Sequence, residues 1–73
     1  MTRLPILNGK EIIKVLQKIG YTEVKQRGSH IRLECKGKKS ITVPNHKVGR
    51  GLLRKILRDA NLSPEEFTIL LKY

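Results

Sequence analysis

At 73 residues the chain has room for one small domain, spanning residues 1–73, and its sixteen Lys and Arg outweigh six Asp and Glu to give a formal charge of +10. One cysteine rules out an internal disulfide framework and fits a reduced cytosol. No stretch approaches the ~20 apolar residues of a membrane span, and the run from Met1 to Leu7 is too short and carries too little charge for a signal peptide. The positive balance calls for a polyanion such as nucleic acid, an anionic membrane or an acidic protein. Between Lys25 and Arg58 stand eleven basic residues and one acid, Glu34. A surface charged only for solubility mixes both signs, and this one does not.

Asn8-Gly9-Lys10-Glu11 reads as a capping box, with Asn8 at the N-cap and Glu11 three residues on. The helix that follows presents Ile12, Val15, Leu16 and Ile19 at core spacing, and Gly20 is placed to end it in the left-handed conformation. Lys10, Lys14 and Lys18 form a stripe on its outer side, read as a solvated face. Tyr21 to Gln26 is predicted as a strand with Val24 as its clearest inward residue, and Arg27-Gly28-Ser29 as a hairpin connection. His30 to Cys35 is the second strand. Alternation sends Ile31, Leu33 and Cys35 inward and His30, Arg32, Glu34 and Lys36 outward. After a turn at Lys36-Gly37-Lys38-Lys39, a third strand runs from Ser40 to Val43, stopped by Pro44. Residues 45–51 read as a loop. A second helix has Leu53, Ile56, Leu57 and Ala60 on its apolar face and Arg50, Arg54 and Arg58 on another. Ser63-Pro64-Glu65-Glu66 opens a short third helix with a capping box, anchored by Phe67, Leu70 and Leu71.

The order α-β-β-β-α-α predicts an α+β fold in which helices cover one face of a three-stranded antiparallel sheet and leave the other wet. This is the double-stranded-RNA-binding-domain arrangement with a short extra helix at its end.

Proton transfer on that wet face has one candidate above others. Histidine titrates near neutral pH, so it can both take and give a proton. Outward-pointing His30 stands beside Arg32. Cleavage of RNA without a metal needs a base for the ribose 2′-hydroxyl, an acid for the leaving 5′-oxygen, and positive charge on the phosphorane. His30 supplies one proton transfer, Arg27, Arg32 and nearby lysines supply charge, and Ser29 orients phosphate or imidazole. Spacing alone favours the plainer reading of an ordinary surface histidine beside a turn, because fold and charge do not specify chemistry. His46, in the loop after the third strand, is either an acid–base partner, a phosphate contact or a simple loop residue. Two histidines, one inward cysteine and few carboxylates do not make a zinc or two-metal site, and there is no Walker or Rossmann motif. Neither a metal nor a cofactor is therefore expected. Tyr21, Phe67 and Tyr73 are the only aromatics, and none is interleaved with the basic run as in base-stacking sheets.

Four pieces together resemble the HicA family of small bacterial and archaeal toxins. They are Gly20-Tyr21, Gly28-Ser29-His30, Thr42-Val43-Pro44-Asn45-His46, and Gly51-Leu52-Leu53-Arg54-Lys55-Ile56-Leu57. The resemblance runs from about Lys10 to about Ser63. It implies a double-stranded-RNA-binding-like fold and an mRNA interferase of a type II toxin–antitoxin module that cleaves mRNA independently of the ribosome. It further implies that His30 of Gly28-Ser29-His30 is catalytic, and that a HicB-type antitoxin covers the active site with a partial ribonuclease-H-like domain. Such antitoxins usually carry a DNA-binding domain too, so the complex represses its own operon. The free toxin is expected as a cytoplasmic monomer that forms a hetero-oligomer with the antitoxin. Leu52 departs from the pattern, since many relatives have Thr after the glycine.

The resemblance reverses the plain reading of His30. The sequence is accordingly read as a metal-independent endoribonuclease with His30 catalytic and Gly28, Ser29 and Arg32 supporting. Arg27, Lys38, Lys39, His46, Lys47, Arg50, Arg54 and Arg58 are the expected RNA contacts, and Arg54 and Arg58 are expected to serve both RNA and antitoxin. Two rival readings are a non-catalytic module binding duplex RNA by shape and a basic adaptor for an acidic protein.

Overall fold

The computed structural model describes residues 4–73; Met1, Thr2 and Arg3, which begin the segment judged too short for a signal peptide, lie outside it. The described elements are β1 (Leu7–Asn8), α1 (Gly9–Lys18), β2 (Thr22–Arg27), β3 (His30–Glu34), β4 (Ile41–Pro44), β5 (Lys47–Val48), α2 (Arg50–Asp59) and α3 (Pro64–Lys72). Strands β2, β3 and β4 form the predicted antiparallel meander in that order. Helices α1 and α2 contact β4, and α3 packs on both of them. The α+β architecture is thus the expected one, although α3 at nine residues is nearly as long as the ten-residue α1 and α2.

The core explains the order. Ile31 and Leu33 from β3 and Ile41 and Val43 from β4 are buried together with Ile12, Val15 and Leu16 of α1 and Leu53, Ile56 and Leu57 of α2. Ile13 joins them, which widens the buried face of α1 beyond the predicted stripe. Phe67 is fully buried, and Leu70 and Leu71 pack against the cluster, so the apolar face of α3 is spent within the chain. Lys18 Nζ donates to the Leu70 carbonyl at 2.6 Å and ties α1 to α3.

Caps set the helix ends. Asn8 accepts from the Lys10 amide at 3.1 Å, but the reciprocal bond from Glu11 is not among those formed, so the predicted capping box is half made. Both α1 and α2 end in Schellman motifs. Tyr21 and Gly20 donate back to Leu16 and Gln17, while Leu62 and Asn61 donate back to Leu57 and Arg58. Gly20 has φ +105, as expected, and Asn61 takes the left-handed position at φ +57. The α3 box is complete: Glu66 N–H donates to Ser63 Oγ, and Ser63 N–H donates to Glu66 Oε1, each at 3.1 Å.

The backbone amide of Ser63, followed by its hydroxyl, holds the Glu66 carboxyl below the usual glutamate range. A carboxyl whose folded pKa is depressed contributes stability above its unfolded pKa and loses it as pH falls through the folded value. Glu66→Ala should therefore melt below the unaltered protein at neutral pH, and the gap should narrow as pH falls through the acid range. Calorimetry across that range checks this; a constant gap contradicts it.

Three expectations are corrected. Val24 does not point inward: it is 50% exposed, and every residue of β2 is exposed. Glu23 pairs with Leu33 and Lys25 with Arg32, leaving Val24 as the extra residue of a β-bulge. Unbulged pairing continued from Arg27↔His30 would set Val24 opposite buried Leu33. The bulge removes it from that position, and β2 becomes a polar edge strand. Second, residues 45–51 are not all loop, because β5 pairs antiparallel with β1 through Leu7↔Val48 and Asn8↔Lys47, burying Val48. Third, β3 stops at Glu34, so Cys35 is half-buried beyond the strand, still packed against the core.

Candidate active site

A tight turn fixes the start of β3. Arg27 and His30 pair across the two residues Gly28 and Ser29. Gly28 has φ +60 while Ser29 does not share the positive sign, which is the pattern of a type II′ hairpin turn with glycine at its first central position. The Ser29 carbonyl accepts from the Asn45 amide, and His30 pairs with Pro44, so the end of β4 holds the turn from the other side. Behind Pro44 lies Gly9, whose amide donates to the His46 carbonyl at 2.8 Å. A Cβ on Gly9 would stand 1.8 Å from the Pro44 carbonyl oxygen. The first residue of α1 therefore has to be glycine for the backbone beneath His30 to close.

Cross-strand register then decides what His30 meets. Residues directly opposite in an antiparallel pair share a face, with Cβ atoms roughly 4.5–5.5 Å apart. Arg27 lies opposite His30, Lys25 opposite Arg32, and Thr42 opposite Arg32 on the other side. These five side chains line one shallow depression of about 190 Å³ on the outer face of the sheet. All five are exposed. Among the described residues no hydrogen bond holds the His30 ring. Arg32 Nε lies 3.4 Å from Glu34 Oε2 in an exposed pair; such a pair is worth at most about 1 kcal/mol and yields readily to a phosphate.

The remaining predicted contacts fall in other places. His46 is exposed near the same end of the sheet but does not line the depression. Its Nδ1 donates to the Lys47 carbonyl at 3.0 Å. Lys38 and Lys39 sit on the β3–β4 connection at the far end of β3. There the buried Tyr21 hydroxyl donates to the Lys39 carbonyl at 2.9 Å, and Lys38 Nζ stands 5.9 Å from the Tyr21 ring centroid. Burial pushes the Tyr21 phenol up, with Cys35 and Asp59 adding to the shift. Arg50 Nε donates to the Leu4 carbonyl at 2.7 Å, pinning the amino-terminal segment. Arg54 and Arg58 line a separate groove with Leu4, Leu57, Leu62, Pro64 and Glu65. That groove shares no lining residue with the His30 depression.

The profile described as "HicA toxin of bacterial toxin-antitoxin" matches residues 9–62. The chain belongs to the HicA toxin family. A chain of a toxin–antitoxin complex from Streptococcus pneumoniae superposes on it with a TM-score of 0.70 at 30% identity, covering 75% of this chain and 97% of that one. No curated protein sequence matches.

Within this HicA chain the match takes in the Gly28-Ser29-His30 turn, the bulged β2, the Thr42–His46 segment and all of α2. Sequence reasoning overlooked Lys25 and Thr42. Thr42 was readable, since it alternates with the inward Ile41 and Val43. Lys25 was readable as well, since an inward Val24 turns Lys25 outward and the bulge leaves its pairing with Arg32 unchanged. Among the described residues no three of His, Cys, Asp and Glu gather in one place where a metal could be held, and no helix is long and apolar enough to cross a membrane.

Proposed function

We propose that this HicA-family chain is an endoribonuclease toxin that cleaves mRNA at the outer face of its sheet. The observation that carries the reading is the depression in which His30 is surrounded by Lys25, Arg27 and Arg32. A phosphodiester seated there meets a proton-transfer group and three cations at once. The 2′-oxygen attacks phosphorus, its proton passing to a base; the P–O5′ bond breaks, and the 5′-oxygen takes a proton from an acid. The products are a 2′,3′-cyclic phosphate and a 5′-hydroxyl. His30 performs one of these transfers, and His46, a lysine or water performs the other. The guanidinium groups of Arg27 and Arg32 stabilise the charge that builds on the phosphorane oxygens. Gly28 shapes the turn, and Ser29 orients the phosphate or the imidazole. Lys38, Lys39, Lys47, Arg50, Arg54 and Arg58 lie farther out and contribute to the positive field that draws RNA in.

An antitoxin of the HicB type would silence the toxin by presenting carboxylates to this face and burying His30. The Streptococcus pneumoniae relative is described as part of a toxin–antitoxin complex, which supports a protein partner of this kind.

End-group analysis of cleaved RNA tests the chemistry. Cyclic phosphates and 5′-hydroxyls are the expected products, and 5′-phosphates contradict the 2′-hydroxyl route.

A further inference from the structure

The outer surface does not end at the His30 depression. Thr42 forms one wall of it and also belongs to a second hollow of about 230 Å³, whose other lining includes Ser40, Leu52, Lys55 and Asp59. The two adjoin because β4 is an edge strand and α2 packs beside it. Successive residues of a helix are about 100° apart around its axis. Lys55 is therefore turned away from Arg54 and faces β4, whereas Arg54 and Arg58 open onto the other groove.

The chemistry of this second hollow is mixed in a specific way. Lys55 supplies a cation, Ser40 and Thr42 supply hydroxyls, and Leu52 is an apolar side chain left 40% exposed. A single nucleotide needs these three functions, for its phosphate, its ribose and the face of its base. Asp59 adds a carboxylate at one side, which repels phosphate and favours the end nearer Thr42. Thr42 is thus the residue shared by the depression that holds Lys25, Arg27 and His30 and the hollow that holds Lys55.

We infer that the hollow between β4 and α2 is a nucleotide subsite, which takes the nucleotide adjoining the scissile phosphate with its phosphate on Lys55 and its base against Leu52. The inference rests on the ribonuclease reading above, and it sends the RNA over the β4 edge to Lys55. Leu52 then has a use in this chain that a hydroxyl side chain would not serve.

The test uses binding, so that it does not depend on cleavage. In the His30→Ala background the affinity for a single-stranded RNA of about ten nucleotides is measured against salt, with and without Lys55→Ala. Losing one phosphate contact on a single strand lowers the slope of log K against log salt by about 0.7. That fall, with weaker binding at low salt, is expected for Lys55→Ala. Lys14→Ala removes the same charge from α1 and should leave the slope unchanged. With His30 intact, Lys55→Ala should lower kcat/KM by a smaller factor for a dinucleotide, which has no second phosphate to place on Lys55, than for the longer RNA. Equal slopes for the Lys55 and Lys14 variants overturn the inference, as does an equal loss on the dinucleotide. Loss of antitoxin binding with RNA binding untouched would assign the hollow to a protein instead. A protein that binds RNA through Lys55 yet never cleaves it would keep the subsite and remove the ribonuclease reading.

Discussion

Gly9→Ala should lower the melting temperature by roughly 10–20 °C, corresponding to about 2–3 kcal/mol in a domain of this size. Two effects oppose one another at this position. Alanine is the better helix former by up to about 1 kcal/mol. Against that, its Cβ would fall 1.8 Å from the Pro44 carbonyl oxygen, 2.9 Å from the Pro44 carbonyl carbon and 3.3 Å from Asn45 Cα. These are backbone atoms, so no side chain can swing away, and either α1 or the end of β4 has to move. The steric cost wins because a small core supplies little stability, on the order of 3–5 kcal/mol in total. The damage should reach the site as well, since Pro44 is the cross-strand partner of His30 and His46 accepts the Gly9 amide. Thermal melting and RNA cleavage measured on one preparation check both parts. A melting point within a degree or two of the unaltered protein would show that the close approach is not obligatory.

His30→Ala is expected to lower the rate of RNA cleavage by about 10²- to 10⁴-fold, the usual contribution of a positioned acid or base. The same substitution should leave stability within about 0.5 kcal/mol, because the side chain is exposed and makes no hydrogen bond among the described residues. Activity and stability therefore separate at His30 and fall together at Gly9. Arg27→Ala and Arg32→Ala should reduce cleavage less than His30→Ala, since each removes only part of the charge around the phosphate. Single-turnover rates beside melting curves make the distinction. Loss of both activity and fold in His30→Ala would point to a structural histidine.

What could be read from the sequence follows from which signals are local. The three helices were legible because each carries a 3.6-residue apolar stripe and terminal cap residues such as Ser63 and Gly20, which act within one turn. The outward placement of His30 and Arg32 was legible because β3 alternates strictly between buried and exposed residues. Val24 was misread because a bulge is a relation between two strands, and β2 by itself looks like a strand with an inward valine. The β1–β5 pair was missed because each strand is two residues long, too short for any period. The Arg54 and Arg58 stripe was correctly seen as one face of a helix. Which neighbours that face meets depends on how α2 rolls against the sheet, and helical periodicity carries no such information. The groove with Leu4 and Leu62 is set by tertiary packing alone. Gly9 belongs to the same class, since its close approach to Pro44 joins residues 35 positions apart in the chain.

The central claim is that this HicA chain cuts RNA through His30. Its most direct test is incubation of a long single-stranded RNA with the purified protein in the presence of EDTA, comparing the unaltered chain with His30→Ala. Cleavage by the unaltered protein and none detectable by the variant is the expected result, with both binding the RNA. Equal cleavage by the two proteins, or binding without cleavage by either, would contradict it and return His30 to the status of a surface histidine on an RNA-binding domain.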